Sequence, residues 1–220
     1  MQFQEYQAKQ LLAQYGIAVP RGEVAASANQ AGNAAFRLGG RVAVKAQVLG
    51  PGRAAGGGVK LTSSDVEAGR FADNLLGSQL VTTASGPAGV TVRRVLVEQA
   101  VNASKELAVG IDAQESGAVI SAKTGDGPVT QVSVDPTAGP TPGQAQQLAG
   151  ALGLQAEAAT ALQQLLQNLC RAFRENECRQ IHLNPLAVTP QSRLVALNAY
   201  VVVDDGVLGR HANLVALRNS

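Results

Sequence analysis

The stretch VKAQVLGPGRAAGGGVK, Val44 to Lys60, joins two short apolar runs through a loop containing Gly50, Gly52, Gly56, Gly57 and Gly58. Glycines let backbone N–H groups approach an anion closely, and Lys45, on the run before the loop, adds a fixed positive charge beside it. A strand, a glycine-rich loop and a second strand suit a flap over a triphosphate. The loop is not a Walker A motif, because no GKS or GKT followed by a helix is present, and it is not a GxGxxG opening a helix. A flexible connection between two strands is the plainer reading of the same residues.

Working outward, the chain alternates helical and extended patterns. Tyr6, Leu11, Leu12 and Tyr15 fall at helical spacings from Glu5 to Tyr15, and Gly16 ends that helix before an extended IAVP. Ser27 caps a second helix to Leu38, and the Val-rich RVAVKAQV follows as a strand. Beyond the loop come the strand VKLT, a helix begun by Ser63, Ser64 and Asp65, and the strand VTVRRVLVEQ. KELAVGID, GAVISAK and TQVSVD, separated by short polar connections, predict an antiparallel meander. After the Pro/Gly stretch DPTAGPTPG, an apolar stripe of Ala158, Leu162, Leu165, Leu166, Leu169 and Phe173 predicts the longest helix, from Gln155 to Phe173. RQIHLNPLAVT and RLVALNAYVVV predict a hairpin across PQS, with a final helix from about Gly206 to the end. The fold class is α+β in two α/β lobes, lobe A at about 21–100 and lobe B at 1–20 plus 101–220.

Composition narrows the function classes. With 45% hydrophobic residues in 220, a sizeable core is available, and 18 Lys plus Arg against 16 Asp plus Glu leave a formal charge of +2 with no like-charge block. Neither a nucleic-acid footprint nor an acidic tail is present. No apolar run reaches the roughly 18 residues of a membrane span, and MQFQEYQAKQLLAQYGIAVP reads as a polar-faced helix rather than a signal peptide, so a cytoplasmic protein is expected. Cys170 and Cys178 have no CxxC partners and read as free structural thiols.

Two further constellations carry chemistry. In LVEQAVNASKELAVG, Leu96 to Gly110, Glu98 and Glu106 put two carboxylates at the junction of the halves. Ribose hydroxyls donate well to such groups, although a pair of ordinary surface acids is the simpler reading. On the terminal hairpin, Asn184 and Asn198 would meet if the register pairs them, giving two neutral oxygen ligands suited to Mg²⁺ only when phosphates complete its shell. In IHLNPLAV, Ile181 to Val188, His182 shares a strand face with Asn184, and Pro185 removes a ladder donor. His182 reads either as a packed histidine making one hydrogen bond, or as a metal ligand or pH-sensitive contact.

Taken together, QEYQAKQLLAQYGIAVPRG, VAVKAQV, GPGR, GGGVKL, VLVEQAVNASKELAVGI, VDPTAGPTP and NPLAVT resemble, in order and spacing, the ATP-grasp region of the succinyl-CoA synthetase (succinate–CoA ligase) β subunit family. The resemblance covers nearly the whole chain. It implies an ATP-grasp fold with a nucleotide site between the lobes, triphosphate contacts at Lys45, Gly52, Arg53 and Ala54, and adenosine and ribose contacts around Glu98, Val101 and Glu106. Asn184 and Asn198 occupy the two magnesium positions. It further implies ATP or GTP and Mg²⁺ as cofactors and a partner α subunit that binds CoA and carries a histidine phosphorylated by the nucleotide, in a reaction of the tricarboxylic acid cycle.

The sequence departs from that pattern within the site. The family's Glu-Ile-Asn-Pro reads His182-Leu183-Asn184-Pro185 here, which removes a carboxylate, and Asn198 stands where the family has an aspartate. A unit charge pair at about 4 Å and an effective dielectric of about 20 is worth roughly 4 kcal/mol before desolvation, so the loss bears on metal occupancy. Ala54 and Ala55 stand where the family often has Gly and Lys, and Pro51 stiffens the loop. The TGDGPVT loop is shortened, and the family's C-terminal CoA-ligase domain is lacking. The expectations are therefore an acid–CoA ligase nucleotide domain or, alternatively, a degenerate non-catalytic binding module; no catalytic residue is assigned.

Overall fold

A computed structural model describes residues 1–219, and the chain divides into two compact units, Met1–Val19 with the chain from Val101 on, and Pro20–Ala100. Both mix helices with antiparallel sheet, an α+β architecture. Helix α1 (Glu5–Ala13) opens the chain and belongs to the first unit. Its supposedly polar face is inside: Glu5, Gln7 and Lys9 are all buried. Burial of the two charges is tolerated because they satisfy each other, Lys9 Nζ lying 2.8 Å from Glu5 Oε1 one helical turn away. The IAVP segment is not a strand; Ala18 O instead accepts from Ala196 N at 2.8 Å.

The Pro20–Ala100 unit starts at β1 (Gly22–Ala25), followed by α2 (Ala28–Arg37), β2 (Val42–Ala46), β3 (Val59–Thr62) and α3 (Asp65–Leu75). Ser27 and Ser64 cap the two helices by accepting from Gln30 N and Glu67 N, satisfying an otherwise orphaned amide at each N-terminus. VTVRRVLVEQ is not one strand but two. β5 (Val90–Thr91) pairs with β4 (Gln79–Leu80), and β6 (Val95–Gln99) runs between β1 and β2. The break falls at Arg93 and Arg94, which a continuous buried strand would have carried inward. The resulting antiparallel sheet has the order β1-β6-β2-β3, and Val42, Val44, Val95 and Val97 pack with Ala31, Ala35, Ala68 and Ala72 of the helices in one apolar core.

The other unit resumes with β7 (Lys105–Ala113), β8 (Ala118–Thr124) and β9 (Thr130–Val134), the antiparallel meander that the sequence predicts. Next comes α4 (Pro142–Ala151), which the local sequence pattern does not predict, capped by Thr141 with Pro142 in its first turn. Helix α5 (Ala156–Glu175) is the longest. Strand β10 (Cys178–Val188) pairs on one side with β7 and on the other with β12 (Ala199–Val203) and β11 (Leu194–Ala196) in turn. The predicted second hairpin strand is thus broken at Leu197–Asn198, and the ladder with β7 shifts register between Leu183 and Leu186, around the donorless Pro185. A short 3-10 segment, Asp205–Arg210, precedes α6 (Ala212–Arg218); the last residue of the predicted terminal helix lies outside the described residues.

Period-two alternation gives this sheet two unlike faces. Leu107, Val109, Ile111, Ile120, Val132, Ile181 and Leu183 belong to a core with Leu148, Leu162, Leu166 and Leu169 of α4 and α5. The opposite face carries Asp112, Ser121, Lys123, His182 and Asn184. Cys170 and Cys178 are free and buried. Burial alone pushes their thiols up to about 11 and about 12 respectively. Among the described residues no helix is long and apolar enough to cross a membrane.

Candidate functional site

In the Pro20–Ala100 unit, Lys45 lies on β2 and Glu98 on the neighbouring β6. The register Ala43↔Glu98 and Lys45↔Leu96 puts the two side chains diagonally on one face. Lys45 Nζ sits 2.7 Å from Glu98 Oε2, and the side chains are only 10% and 3% exposed. Glu98 is therefore no surface acid. Deleting either charge would leave its partner buried and uncompensated, at a cost of about 3–5 kcal/mol.

The glycine-rich loop is ordered by its own hydrogen bonds. Gly56 N donates to Gly52 O, Gly57 N to Ala54 O, and Gly58 N to Arg53 O. Arg53 Nη1 reaches back to Ala46 O at 3.0 Å, tying the loop to the end of the Lys45 strand. Gly52 has φ +93°, and a Cβ there would come within 2.8 Å of Thr83 N, so only glycine fits. The later loop amides are spent on these turns. The amides of Gly52, Ala54 and Ala55 donate to nothing among the described residues, so the first part of the loop keeps its donors unspent.

In the other unit, the register Leu183↔Ala199 between β10 and β12 sets Asn184 opposite Asn198. Asn198 Nδ2 donates to Asn184 O at 2.8 Å, and both Leu197 N and Asn198 N donate to Pro185 O. Lys9 Nζ, held by Glu5, donates to Leu197 O at 2.7 Å. This places the α1 charge pair directly behind Asn198. Val101, where the chain re-enters this unit, is half-buried, and Glu106 on β7 is exposed opposite Ala187.

As a magnesium site the two asparagines fit in ligand type but not in charge. Their amide oxygens are hard donors, yet among the described residues no group of three or more His, Cys, Asp or Glu side chains gathers to hold a metal.

Sequence reasoning missed Asp112. Its carboxylate takes His182 Nε2 at 2.9 and 3.0 Å, and Gln180 Nε2 donates to it at 2.9 Å. The imidazole rests on Gly110, where a Cβ would come within 2.6 Å of His182 Cδ2, and its ring lies 6.0 Å from that of Tyr200. His182 thus packs against a glycine and pairs with a carboxylate from the next strand. Alternation along KELAVGID places Gly110 and Asp112 on one face; the signal lacking was the pairing of β10 with β7.

Two α+β units, one with a lysine-bearing strand running into a glycine-rich loop and the other with paired asparagines, define the class of fold. A family model described as an ATP-grasp domain matches residues 2–188, and the chain belongs to that family. It is 39% identical over 225 residues to the succinate–CoA ligase [ADP-forming] subunit β of Pelobacter propionicus, covering 96% of this chain and 57% of that protein. It is 40% identical to the corresponding subunit of Desulforapulum autotrophicum, covering 100% of this chain and 61% of that one. The chain thus spans about three fifths of the curated relatives' length. Among solved structures, the dinucleotide-forming acetyl-coenzyme A synthetase 1 of Ca. Korarchaeum cryptofilum, in complex with coenzyme A and Ca-AMPCP, superposes with a TM-score of 0.73 at 20% identity, covering 92% of this chain and 93% of that one. ATP citrate lyase from Methanothrix soehngenii gives 0.71 at 18% identity over 94% and 52%. Both share the ATP-grasp fold.

Proposed function

We propose that the chain is the nucleotide-binding domain of a succinyl-CoA synthetase-like acid–CoA ligase, acting in the cytoplasm with an α-subunit-like, CoA-binding partner. The observation that carries this is the buried Lys45–Glu98 pair, its lysine on the strand that runs into a loop whose Gly52, Ala54 and Ala55 amides have no internal acceptor. Lys45, Gly52, Arg53 and Ala54 bind the triphosphate of ATP or GTP. Glu98 fixes the lysine, and with Val101 and Glu106 it belongs to the adenosine and ribose contacts. Asn184 and Asn198 would hold Mg²⁺ through amide oxygens, and the ion would supply positive charge to the phosphates. With no carboxylate in that pair, the ion depends on the nucleotide for affinity.

The test is binding of a fluorescent ATP analogue to the wild type and to the Lys45→Met, Glu98→Gln double variant, in which neither partner is left as a buried lone charge. Loss of a charge-assisted contact to phosphate predicts binding weaker by about tenfold or more; unchanged affinity overturns the assignment. A second reading, a degenerate module that holds nucleotide without turnover, is favoured by His182, which stands engaged with Asp112 at the position where the family resemblance implies a carboxylate.

A further inference from the structure

Four of the five glycines in the glycine-rich loop press against one short stretch of the same unit, residues 80–84; only Gly57 has nothing close to it. A Cβ at Gly52 would come under 3.0 Å from Thr83 Oγ1 and Thr83 N, and one at Gly56 under 3.0 Å from Val81 O. Gly50 meets Ala84 Cβ and Gly58 meets Leu80 Cδ2 as closely, so loop and stretch run antiparallel, 50 against 84 and 58 against 80. Side chains do not fit between segments this close. The run of glycines is thereby explained by a neighbour inside the protein. That neighbour is firmly held. Leu80 is buried in the core of this unit and pairs with Val90, and Thr82 is only 7% exposed. Thr82 Oγ1 accepts from Ala84 N and Ser85 N while Ser85 Oγ accepts from Thr82 N, closing a turn whose own side chains satisfy its amides. From this turn Thr83, itself exposed, reaches across to the loop, its Oγ1 donating to Pro51 O at 3.2 Å.

We propose that residues 80–85 are a fixed shelf for the glycine-rich loop and that Thr83 is a positioning residue, holding the loop in the shape in which its Gly52, Ala54 and Ala55 amides and Arg53 meet a triphosphate. Thr83 lies outside the proposed binding set, and its positioning role rests on the nucleotide-binding function proposed for the loop. A loop held in shape before its ligand arrives has less freedom to lose on binding, so affinity for the phosphates depends on the Thr83 bond. The nucleoside end of the ligand is indifferent to it.

Thr83→Val removes the hydroxyl at an exposed position. Trypsin reads the loop without any ligand, because Arg53 supplies a cleavage point and proteolysis tracks the population of the open form. Losing one hydrogen bond should speed cleavage after Arg53 by about three- to tenfold and leave cleavage elsewhere in the chain unchanged. ATP binding should weaken by about the same factor, whereas AMP, which has no β- or γ-phosphate, should bind as it does to the wild type. Thr83→Ser should restore both readouts. Gly56→Ala, also outside the proposed contacts, should loosen the loop in the same direction through its clash with Val81 O. The positioning role is overturned by unchanged cleavage after Arg53, by unchanged ATP affinity, by an equal loss of ATP and AMP, by a Thr83→Ser variant that restores neither readout, or by a Gly56→Ala variant that behaves as wild type. A wild type that binds no ATP would overturn the nucleotide assignment, and the cleavage rates would still decide whether Thr83 holds the loop.

Discussion

Lys45 and Glu98 illustrate how a charge is made available to a ligand from inside a sheet. A lone lysine at that depth would be an uncompensated buried charge, whereas one held 2.7 Å from a carboxylate has a partner of opposite sign. His182, less buried, is likewise oriented by a carboxylate, with Asp112 fixing the ring. The buried thiols carry a pH signature. Cys170 is raised to about 11 and Cys178 to about 12 from an ordinary value of 9.0, both by burial. An acid with a raised folded pKa stabilises fully below its unfolded pKa and loses that contribution as pH climbs through the folded one. Stability should therefore fall from about pH 9 upward. Urea midpoints at about pH 8 and pH 10.5 should separate more for the wild type than for a Cys170→Ala, Cys178→Ala variant; equal separations would contradict the burial argument.

At the scale of elements, α4 depends on a reciprocal cap. Thr141 Oγ1 accepts from Gln144 N while Gln144 Oε1 accepts from Thr141 N, and Gln144 Nε2 also anchors to Ser133 O on β9. Thr141→Ala should cost about 1 kcal/mol, read as a lower urea midpoint with an unchanged slope; no shift would mean that the cap contributes nothing. The Thr-Pro-x-Gln signature is visible in the sequence, but the surrounding Pro and Gly residues make it read as loop. Elsewhere, local signals serve well. Ser27 and Ser64 mark helix starts, the apolar stripe of α5 marks its buried face, and period-two alternation marks the meander. Long-range pairing is beyond such signals. Nothing local says that β10 lies between β7 and β12, so the His182–Asp112 pair stays hidden, and Glu5 and Lys9 look like solvent-facing residues because their partners are 4 and 188 residues away.

For the molecule as a whole, there are two compact units with separate apolar cores; the lysine and glycine-rich loop lie on one, the paired asparagines on the other. The order of short motifs along the chain makes the ATP-grasp family legible in the amino-acid sequence, because several weak patterns in one order are far more specific than each alone. What the motifs do not convey is how the site is held, through the Glu98 partner of Lys45 and the Lys9 contact behind Asn198. The central claim is that this chain binds nucleotide, with Mg²⁺ recruited by the phosphates rather than by the protein alone. Calorimetry of the protein with ATP or ADP, with and without Mg²⁺, tests it most directly. Micromolar binding that requires Mg²⁺, with no binding of Mg²⁺ alone, is the predicted result; no detectable binding at millimolar nucleotide in the presence of Mg²⁺ would contradict the account.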